Sequence, residues 1–477
     1  MRLNNMQTSL LDDYNSVSSA MENNKPRFLE MLEEYIDFND YIPVPFFWAF
    51  YRRFGRPREY SLESLLRFCV LQKVLGIKED SIFLNILRMS RELREYCGFD
   101  KVPDASKITL FKQDFVAYIQ MVFDKLVEIT EPICREIDAK KADYIIYDPT
   151  GIVVQVAENN PKFLNGKLLQ AKKLSKDNPD IKPHALAYWM MPNFAAANPF
   201  VEQQYINGHI CYAFKAGILT NGLGIVRDIS FFDDEFKRMH PEVVSKKTDN
   251  PELDKVIGDS ISLKPVLSDF FEKHPSFSYK TFLGDGSFDK YDHYEMLRDE
   301  FGFERVAIPL NHRNTKPNLS SEYDDNGTPI CPIDKTPFSY LGISRGENRS
   351  KRFKYVCHKS EPIPKTKKRI CTCDNPCTDS SYGRCIYTHP AQDFRLYPGI
   401  ARGTEHWDNL YRHRVLAERT IYLLKEPLGG ATSKSFSMRT SKADLLLAGI
   451  TQLIGVVLAQ AINKPHLFKS VRKLIVA

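Results

Sequence analysis

The first 140 residues place apolar side chains at the spacing of α-helices. Ser61 can cap the start of one helix, and Gly76 can end it. The apolar face of that helix consists of Leu62, Leu65, Leu66, Cys69 and Val70. A second apolar run covers residues 82–87, and a third helix begins at its cap, Asp104. We therefore expect residues 1–140 to form a helical domain.

The pattern changes to strands after this region. Residues 144–147 are an apolar run that ends in Asp148-Pro149-Thr150-Gly151, which predicts a buried strand whose last residue is a carboxylate. Residues 209–220 and 224–230 predict a hairpin around Asn221-Gly222. Residues 251–273 predict a helix.

A second carboxylate follows another predicted strand. Residues 279–283 form that strand and end in Gly284-Asp285-Gly286. Residues 289–300 predict a helix, and residues 305–309 predict a further strand. This order of elements predicts an α/β fold in which helices cover a mixed sheet.

Two segments interrupt the predicted sheet. Residues 158–207 are polar and basic, and we expect them to be partly mobile or to lie over a ligand. Residues 311–403 contain six of the ten cysteines. We therefore divide the chain into a helical domain (1–140), a first core part (141–310), a Cys-rich insertion (311–403) and a second core part (404–477).

Residues 411–425 predict one helix with a charged face. Tyr411, Arg414, Glu418 and Lys425 fall within roughly 60° of arc at about 100° per residue. Asp408 can cap this helix, and Pro427 with two glycines can stop it. Cations beside a carboxylate suit a metal ion that holds a phosphate. A surface helix with i,i+4 ion pairs is the alternative.

The net charge of the chain is only +6, so the composition permits binding to nucleic acid without requiring it. Basic residues are clustered, however, and either a DNA-binding face or solvated charge explains them. The clusters are Arg52-Arg53 with Arg56 and Arg58, Lys172-Lys173, Lys246-Lys247, and residues 365–369. With these basic ends, the short helices of residues 1–140 form either a helix-turn-helix-like DNA reader or a plain packing domain.

Neither end of the chain indicates a membrane protein or a secreted one. Residues 1–13 are polar and contain no apolar segment of a secretory signal. We therefore expect a cytoplasmic location in which the cysteines are reduced. Residues 445–462 are long enough to cross a membrane, but Thr451, Gln452 and Gln460 favour a buried terminal helix.

Asp148, Asp285 and Glu418 form a candidate metal site, since strand-end residues of such sheets lie where ligands bind. Three acids brought together repel one another unless divalent cations hold them. We expect two Mg²⁺ or Mn²⁺ ions, which could activate a water or a 3′-hydroxyl and stabilise the leaving oxygen. The alternative is that the two aspartates only cap turns.

These residues resemble the DDE transposases of the IS4 type. The family signature is Tyr, two residues, Arg, three residues, Glu, six residues, Lys, and Tyr411, Arg414, Glu418 and Lys425 match it throughout. Asp148 and Asp285 match the first and second acids of the family. The motifs within residues 55–76 and 103–106 resemble the InsH-like helical domain that precedes such catalytic domains.

The resemblance implies an RNase H-like core with an N-terminal DNA-binding domain and an insertion before the glutamate helix. It also implies metal-dependent strand cleavage and transfer at the ends of an insertion sequence. The partners would be double-stranded DNA, as terminal inverted repeats and target, and a second copy of the chain on paired ends, in a nucleoid-associated cytoplasmic protein. Tyr411, Arg414 and Lys425 would bind phosphates. A domesticated non-catalytic DNA-binding protein, or a nuclease of this fold without strand transfer, are the alternatives.

The cysteines of the insertion are a second candidate metal site. Thiolates at suitable spacing bind structural Zn²⁺, although these spacings are irregular, and reduced, partly buried thiols are the alternative. The candidates are Cys331, Cys357, Cys371, Cys373, Cys377 and Cys385. We expect Asp289, Asp292 and Glu295 to be a solvated helix face. Trp407 could stack on an extruded base, but core packing explains it better.

Overall fold

A computed structural model describes residues 27–52, 55–176, 182–206, 209–244, 257–311, 322–346, 349–366, 368–432 and 435–469. The first half of the helical region is built from short helices. They are α1 (Arg27–Tyr35), α2 (Val44–Phe50), α3 (Leu62–Val74), α4 (Asp80–Met89), α5 (Arg91–Tyr96) and α6 (Ala105–Asp114). Ser61 Oγ accepts the Ser64 N–H at the start of α3, and Gly76 follows its end with φ +69°. The predicted helical character is confirmed for these residues.

A long helix, α7 (Val116–Ala142), leads into the main sheet. Its strands are β1 (Tyr144–Val153), β2 (Phe194–Ala195), β3 (Asn198–Ile206), β4 (His209–Asn221), β5 (Val226–Phe231), β6 (Thr281–Leu283) and β7 (Arg305–Ala307). Their order is β2-β3-β4-β1-β6-β7, with β5 paired to β4. The strands β1, β6 and β7 are parallel, whereas β4 is antiparallel to β1. The predicted mixed sheet is therefore confirmed.

Helices cover both faces of this sheet. One face packs Ile145 and Tyr147 against α11 (Asp259–Lys273) and α12 (Tyr291–Asp299). The other packs Tyr144 and Ile146 against α13 (Glu405–Tyr411) and α14 (Val415–Lys425). Successive side chains of a strand point to opposite faces, so the even-numbered residues of β1 face α14.

Several predicted bounds differ from the structure. Strand β1 continues past Asp148, because β4 pairs with it as far as Val153. The polar segment 158–207 is not only an insert: it holds α8 (Pro161–Leu174), α9 (Pro183–Trp189), β2 and β3, and β3 joins the main sheet. The helix predicted from residue 251 begins at Asp259, and residues 251–256 lie outside the described part.

The Cys-rich insertion has its own small sheets. Strands β8 (Ser339–Gly346), β9 (Arg349–Val356) and β12 (Cys385–Thr388) form one, and β10 (Ser360–Pro362) pairs with β11 (Arg369–Cys371). Their apolar side chains, with Cys331 and Cys357, form a separate core. The predicted domain divisions themselves stay predictions.

The last helix, α15 (Met438–Ala461), packs against α7, α3, α6 and β5. Strand β5 itself is followed by a short helix, α10 (Asp234–Met239). By length and composition α15 could cross a membrane, but 89% of its apolar window is buried inside the protein. The expected buried terminal helix is therefore what the structure shows.

A buried ion cluster joins α15 to the N-terminal helices. Asp444 Oδ1 lies 2.7 Å from Lys73 Nζ and 2.9 Å from Lys112 Nζ. Lys112 Nζ also lies 2.7 Å from Asp80, and Lys73 donates to the Gly429 carbonyl at 3.0 Å. Burial would raise the pKa of the Asp444 carboxyl, yet the two ammonium groups hold that pKa below its usual value. The charges therefore compensate one another inside the core.

We expect Asp444→Ala to destabilise the protein by about 3–5 kcal/mol, because it leaves the buried Lys73 ammonium without a carboxylate and Lys112 with Asp80 alone. Urea unfolding measures the loss. Glu300→Ala is the matched control: it breaks the exposed pair with Lys264 and should cost about 1 kcal/mol or less. Equal losses in the two variants would show that the buried cluster adds nothing beyond a surface pair.

Candidate active site

Asp148 and Asp285 lie at one edge of the sheet because their strands are parallel neighbours. The ladder between β1 and β6 ends where Ile146 pairs with Leu283. Each aspartate is two residues beyond that pair, so both point to the same face as Ile146 and Leu283, toward α13 and α14. The structure thus brings together two acids that are far apart in sequence, and their catalytic role stays a prediction.

Glu418 reaches the same place from α14. The predicted continuous helix is wrong in detail: α13 ends at Tyr411, a 3-10 turn covers Arg412–Arg414, and α14 begins at Val415. The predicted cap is wrong too, because Thr404 Oγ1 accepts the Trp407 N–H at 3.2 Å and Asp408 lies inside α13. Two shorter helices with a tight turn replace one long helix.

The guanidinium of Arg414 lies among the three carboxylates. Its Nη2 is 3.8 Å from Asp148 Oδ2 and 3.8 Å from Asp285 Oδ2, and its Nη1 donates to Glu418 Oε1. Its Nε is buried and has no hydrogen-bond partner among the described residues. Arg414 therefore contacts all three acids, and its Nε–H donor remains unpaired among the described residues.

Burial raises the pKa of the Asp148 carboxyl to about 7. The Arg414 guanidinium opposes this shift, whereas the negative charges of Asp285 and Glu418 add to it. The side chain of Asp148 is only 18% exposed, compared with 38% for Asp285 and 51% for Glu418. Asp148 is thus the least solvated of the three carboxylates, and a nearby positive charge would favour its ionised form.

Lys425 and Tyr411 lie beside this cluster and not within it. Lys425 Nζ donates to the Gly151 carbonyl at 2.7 Å and to Thr150 Oγ1 at 3.3 Å, and burial lowers its pKa. Tyr411 stacks on Trp407 with 6.3 Å between ring centroids, and burial raises the pKa of its phenol. The signature residues therefore occupy different positions around one site.

A cavity of about 1060 Å³ opens over the carboxylates. Five of the predicted site residues line it: Asp148, Asp285, Arg414, Glu418 and Lys425. Several other lining residues carry no signal in the sequence pattern: Gln203, Gln204, Lys215 and Asp259. Lys215 Nζ lies 2.6 Å from Asp259, an acid that contributes to the raised pKa of Asp148. Asp259 lies within the helix predicted for residues 251–273, and its position there did not indicate a place in the cavity.

The carboxylates have the right chemistry for Mg²⁺, which prefers oxygen ligands. Within the described ranges, however, no three His, Cys, Asp or Glu side chains are gathered at the spacing of a metal site. The reason at this site is that the acids surround Arg414 and not one another. The oxygen donors suit Mg²⁺ by chemistry but not by spacing in this arrangement, so a divalent cation here stays a prediction.

All ten cysteines are free thiols. Cys331 and Cys357 are buried, whereas Cys371, Cys373, Cys377 and Cys385 are half-buried. A hydrogen bond to Cys371 and the nearby Cys357 thiol help to raise the pKa of Cys373 to about 12. Zinc in the insertion stays a prediction, because the thiols are not at ligand spacing in the part of the chain described.

Two side interpretations from the sequence have different outcomes. Asp289 is not solvated: its side chain is fully buried and pairs with Arg395 at 2.5 Å, whereas Asp292 and Glu295 are exposed as expected. Trp407 is 7% exposed and packs in the core, as the alternative to base stacking predicted. Helical spacing alone could not reveal the arginine that approaches Asp289 from 106 residues away.

A known family model matches part of the sequence. Residues 17–114, about a fifth of the chain, match the family model described as Transposase domain (DUF772). This segment ends with α6. Residues 17–114 are therefore transposase-related. No curated protein matches the chain.

A search of solved structures finds a piggyBac transposase, determined by cryo-EM as a synaptic complex with hairpin DNA. The identity is 9% and the TM-score is 0.36, and the match covers 94% of this chain and 77% of that chain. Values this low carry no conclusion about the function of this chain.

The raised pKa of Asp148 predicts a pH-dependent stability. The folded protein binds this proton more tightly than the unfolded chain, so the contribution of Asp148 is fully present below about pH 4 and is lost as the pH rises through about 7. We therefore expect Asp148→Asn to be more stable than the wild type above pH 7, by a few kcal/mol at most. Urea unfolding across this pH range measures the difference.

Asp299→Asn is the control, because the neighbouring Arg298 lowers the pKa of that exposed carboxyl. It should give no such gain above pH 7. A constant difference between Asp148→Asn and the wild type from pH 4 to pH 8 would contradict the shift.

Proposed function

We propose that the chain is a DDE transposase of the IS4 type that cleaves and transfers DNA strands at the ends of an insertion sequence. The observation that carries the proposal is the meeting of Asp148, Asp285 and Glu418 around Arg414 in one open cavity. These acids come from two parallel strands and a helix near the other end of the chain. The transposase-related segment 17–114 supports it independently.

The three acids would hold Mg²⁺ or Mn²⁺, which would activate the attacking oxygen and stabilise the leaving one. The raised pKa of Asp148 means that this carboxyl would release a proton when a cation binds. Arg414, displaced from the acids, would place its guanidinium, including the unpaired Nε donor, against a phosphate.

Lys425 would hold the same DNA strand beside the acids. Two of the three donors of its ammonium group are used by Gly151 and Thr150, which leaves one for a phosphate oxygen in the cavity. Tyr411, whose phenol interacts electrostatically with Arg414, would bind the phosphate together with it. Arg414 and Lys425 would thus bind phosphates, while Glu418 would bind the metal ion.

Double-stranded DNA is the proposed partner, and the N-terminal helices would recognise the ends of the element. Arg52 and Arg56 are exposed and available to phosphates, whereas Arg53 lies outside the described residues. Arg58 has a structural contact, since its guanidinium lies 4.9 Å from the Phe50 ring. Two copies of the chain would hold paired ends, in a cytoplasmic, nucleoid-associated complex.

Replacement of Asp148, Asp285 or Glu418 by Ala should abolish Mg²⁺-dependent cleavage of DNA that carries the sequences flanking the gene. DNA affinity should change little, because phosphate contacts elsewhere dominate it. Gel assays of cleavage and binding measure both. Asp292→Ala, which removes an exposed acid of α12, is the control and should cleave normally. Full cleavage by a triad variant would remove that residue from the site.

Arg414→Ala and Lys425→Ala should still nick this DNA but should accumulate the nicked intermediate. The cations act on the phosphate that is transferred or attacked again, so double-strand or hairpin product should fall on the order of 10²-fold. Time courses of nicked and broken product measure the ratio. Arg419→Ala, an exposed cation on the same helix, is the control. Wild-type ratios in Arg414→Ala and Lys425→Ala would make this face an ion-paired surface only.

A further inference from the structure

We propose that Arg395 and Arg402, at the end of the Cys-rich insertion, are positioning residues that set the Asp285 loop against the Glu418 helix. The proposal rests on the proposed function, because it concerns the same acids. It assigns the end of the insertion a role in the geometry of the site. Three consecutive contacts carry it.

The first contact holds the loop after Asp285. Asp289 closes the 3-10 turn that Asp285 begins, and its buried carboxylate receives Arg395 Nε at 2.9 Å and Nη2 at 2.5 Å. The same carboxylate accepts the Asn311 N–H at 2.6 Å. A bidentate arginine pair fixes both distance and direction. Both ends of the insertion, residues 311 and 395, are therefore tied to the loop that carries Asp285.

The second contact links Arg395 to Arg402. Arg402 Nη2 donates to the Arg395 carbonyl and to Tyr294 Oη, each at 2.8 Å, and Nη1 donates to the Ile308 carbonyl at 2.5 Å. Tyr294 Oη in turn donates to Asp289 at 3.2 Å. Arg402 is 5% exposed, so these bonds are shielded from water. The two arginines thus form one hydrogen-bonded unit with the Asp285 loop and the end of β7.

The third contact passes from this unit to the catalytic helix. The Arg402 guanidinium lies 4.5 Å from the Trp407 ring, and Trp407 stacks on Tyr411 at an angle of 14°. Tyr411 and the Arg414 guanidinium interact electrostatically, and Arg414 contacts Asp285 and Glu418. Packing from Arg402 to Tyr411, and the contacts of Arg414 three residues later along the chain, therefore connect the loop of Asp285 to the helix of Glu418.

Burial of two arginines is not explained by stability alone. A buried ion pair often contributes no more stability than apolar residues of the same volume. What it does supply is direction, since a planar guanidinium with several fixed donors accepts few arrangements. Asp285 and Glu418 lie on segments separated by the whole insertion, and the unit sets their relative position where the chain returns to the core.

The test compares Arg395→Met and the milder Arg402→Lys with the wild type. Arg402→Lys keeps the charge but loses the planar stack on Trp407 and the fork of donors. Calorimetric titration with Mn²⁺ measures affinity without DNA or turnover. We expect about tenfold weaker Mn²⁺ binding in each variant, as for other residues that orient metal ligands indirectly. The control is Asp444→Asn, which weakens a buried cluster in the helical region.

Asp444→Asn should lower the unfolding temperature and leave Mn²⁺ affinity unchanged. Wild-type affinity in a folded Arg402→Lys would overturn the positioning role while leaving the proposed function intact. Equal weakening by Asp444→Asn would also overturn it, since the effect would then follow stability alone. If the wild type binds no more Mn²⁺ than the Asp148→Ala, Asp285→Ala and Glu418→Ala variants, the proposed metal site fails, and the positioning role fails with it.

Discussion

Three carboxylates can lie close together only if positive charge lies between them, and this constraint governs the centre of the molecule. Arg414 supplies that charge here, in contact with Asp148, Asp285 and Glu418. Burial, reinforced by the negative charges of Asp285 and Glu418, nevertheless raises the pKa of the Asp148 carboxyl to about 7. The three acids of the site therefore outnumber the one guanidinium that contacts them.

The main sheet brings the two aspartates together through one short pair of parallel strands. A parallel ladder of three residue pairs sets the register of β1 against β6, and it ends where Ile146 pairs with Leu283. Asp148 and Asp285 each lie two residues beyond that last pair, so the register places them side by side. Glu418 depends on longer-range packing, since α14 reaches the sheet through Ala417 and the half-buried Leu416.

The rest of the chain holds these elements in place from two directions. On one side, the cluster of Lys73, Lys112 and Asp444 fastens α15 to the N-terminal helices, and α15 packs on the sheet through β5. On the other side, Arg395 and Arg402 fasten the insertion to the Asp285 loop. Both are buried ionic contacts between segments distant in sequence, where direction matters as much as energy.

The sequence by itself determined the helical N-terminal region, the mixed sheet and the residues around which the site forms. Local signals suffice for these features, because caps, apolar periodicity and strand ends depend on neighbouring residues. The spacing of Arg414 and Glu418 likewise predicts their i,i+4 contact. Only the tertiary structure decided that β1 continues past Asp148, that Asp289 is buried, and that Asp259 and Lys215 join the cavity. Each of these features depends on contact with a strand or side chain distant in sequence. A local sequence pattern contains no information about such a partner.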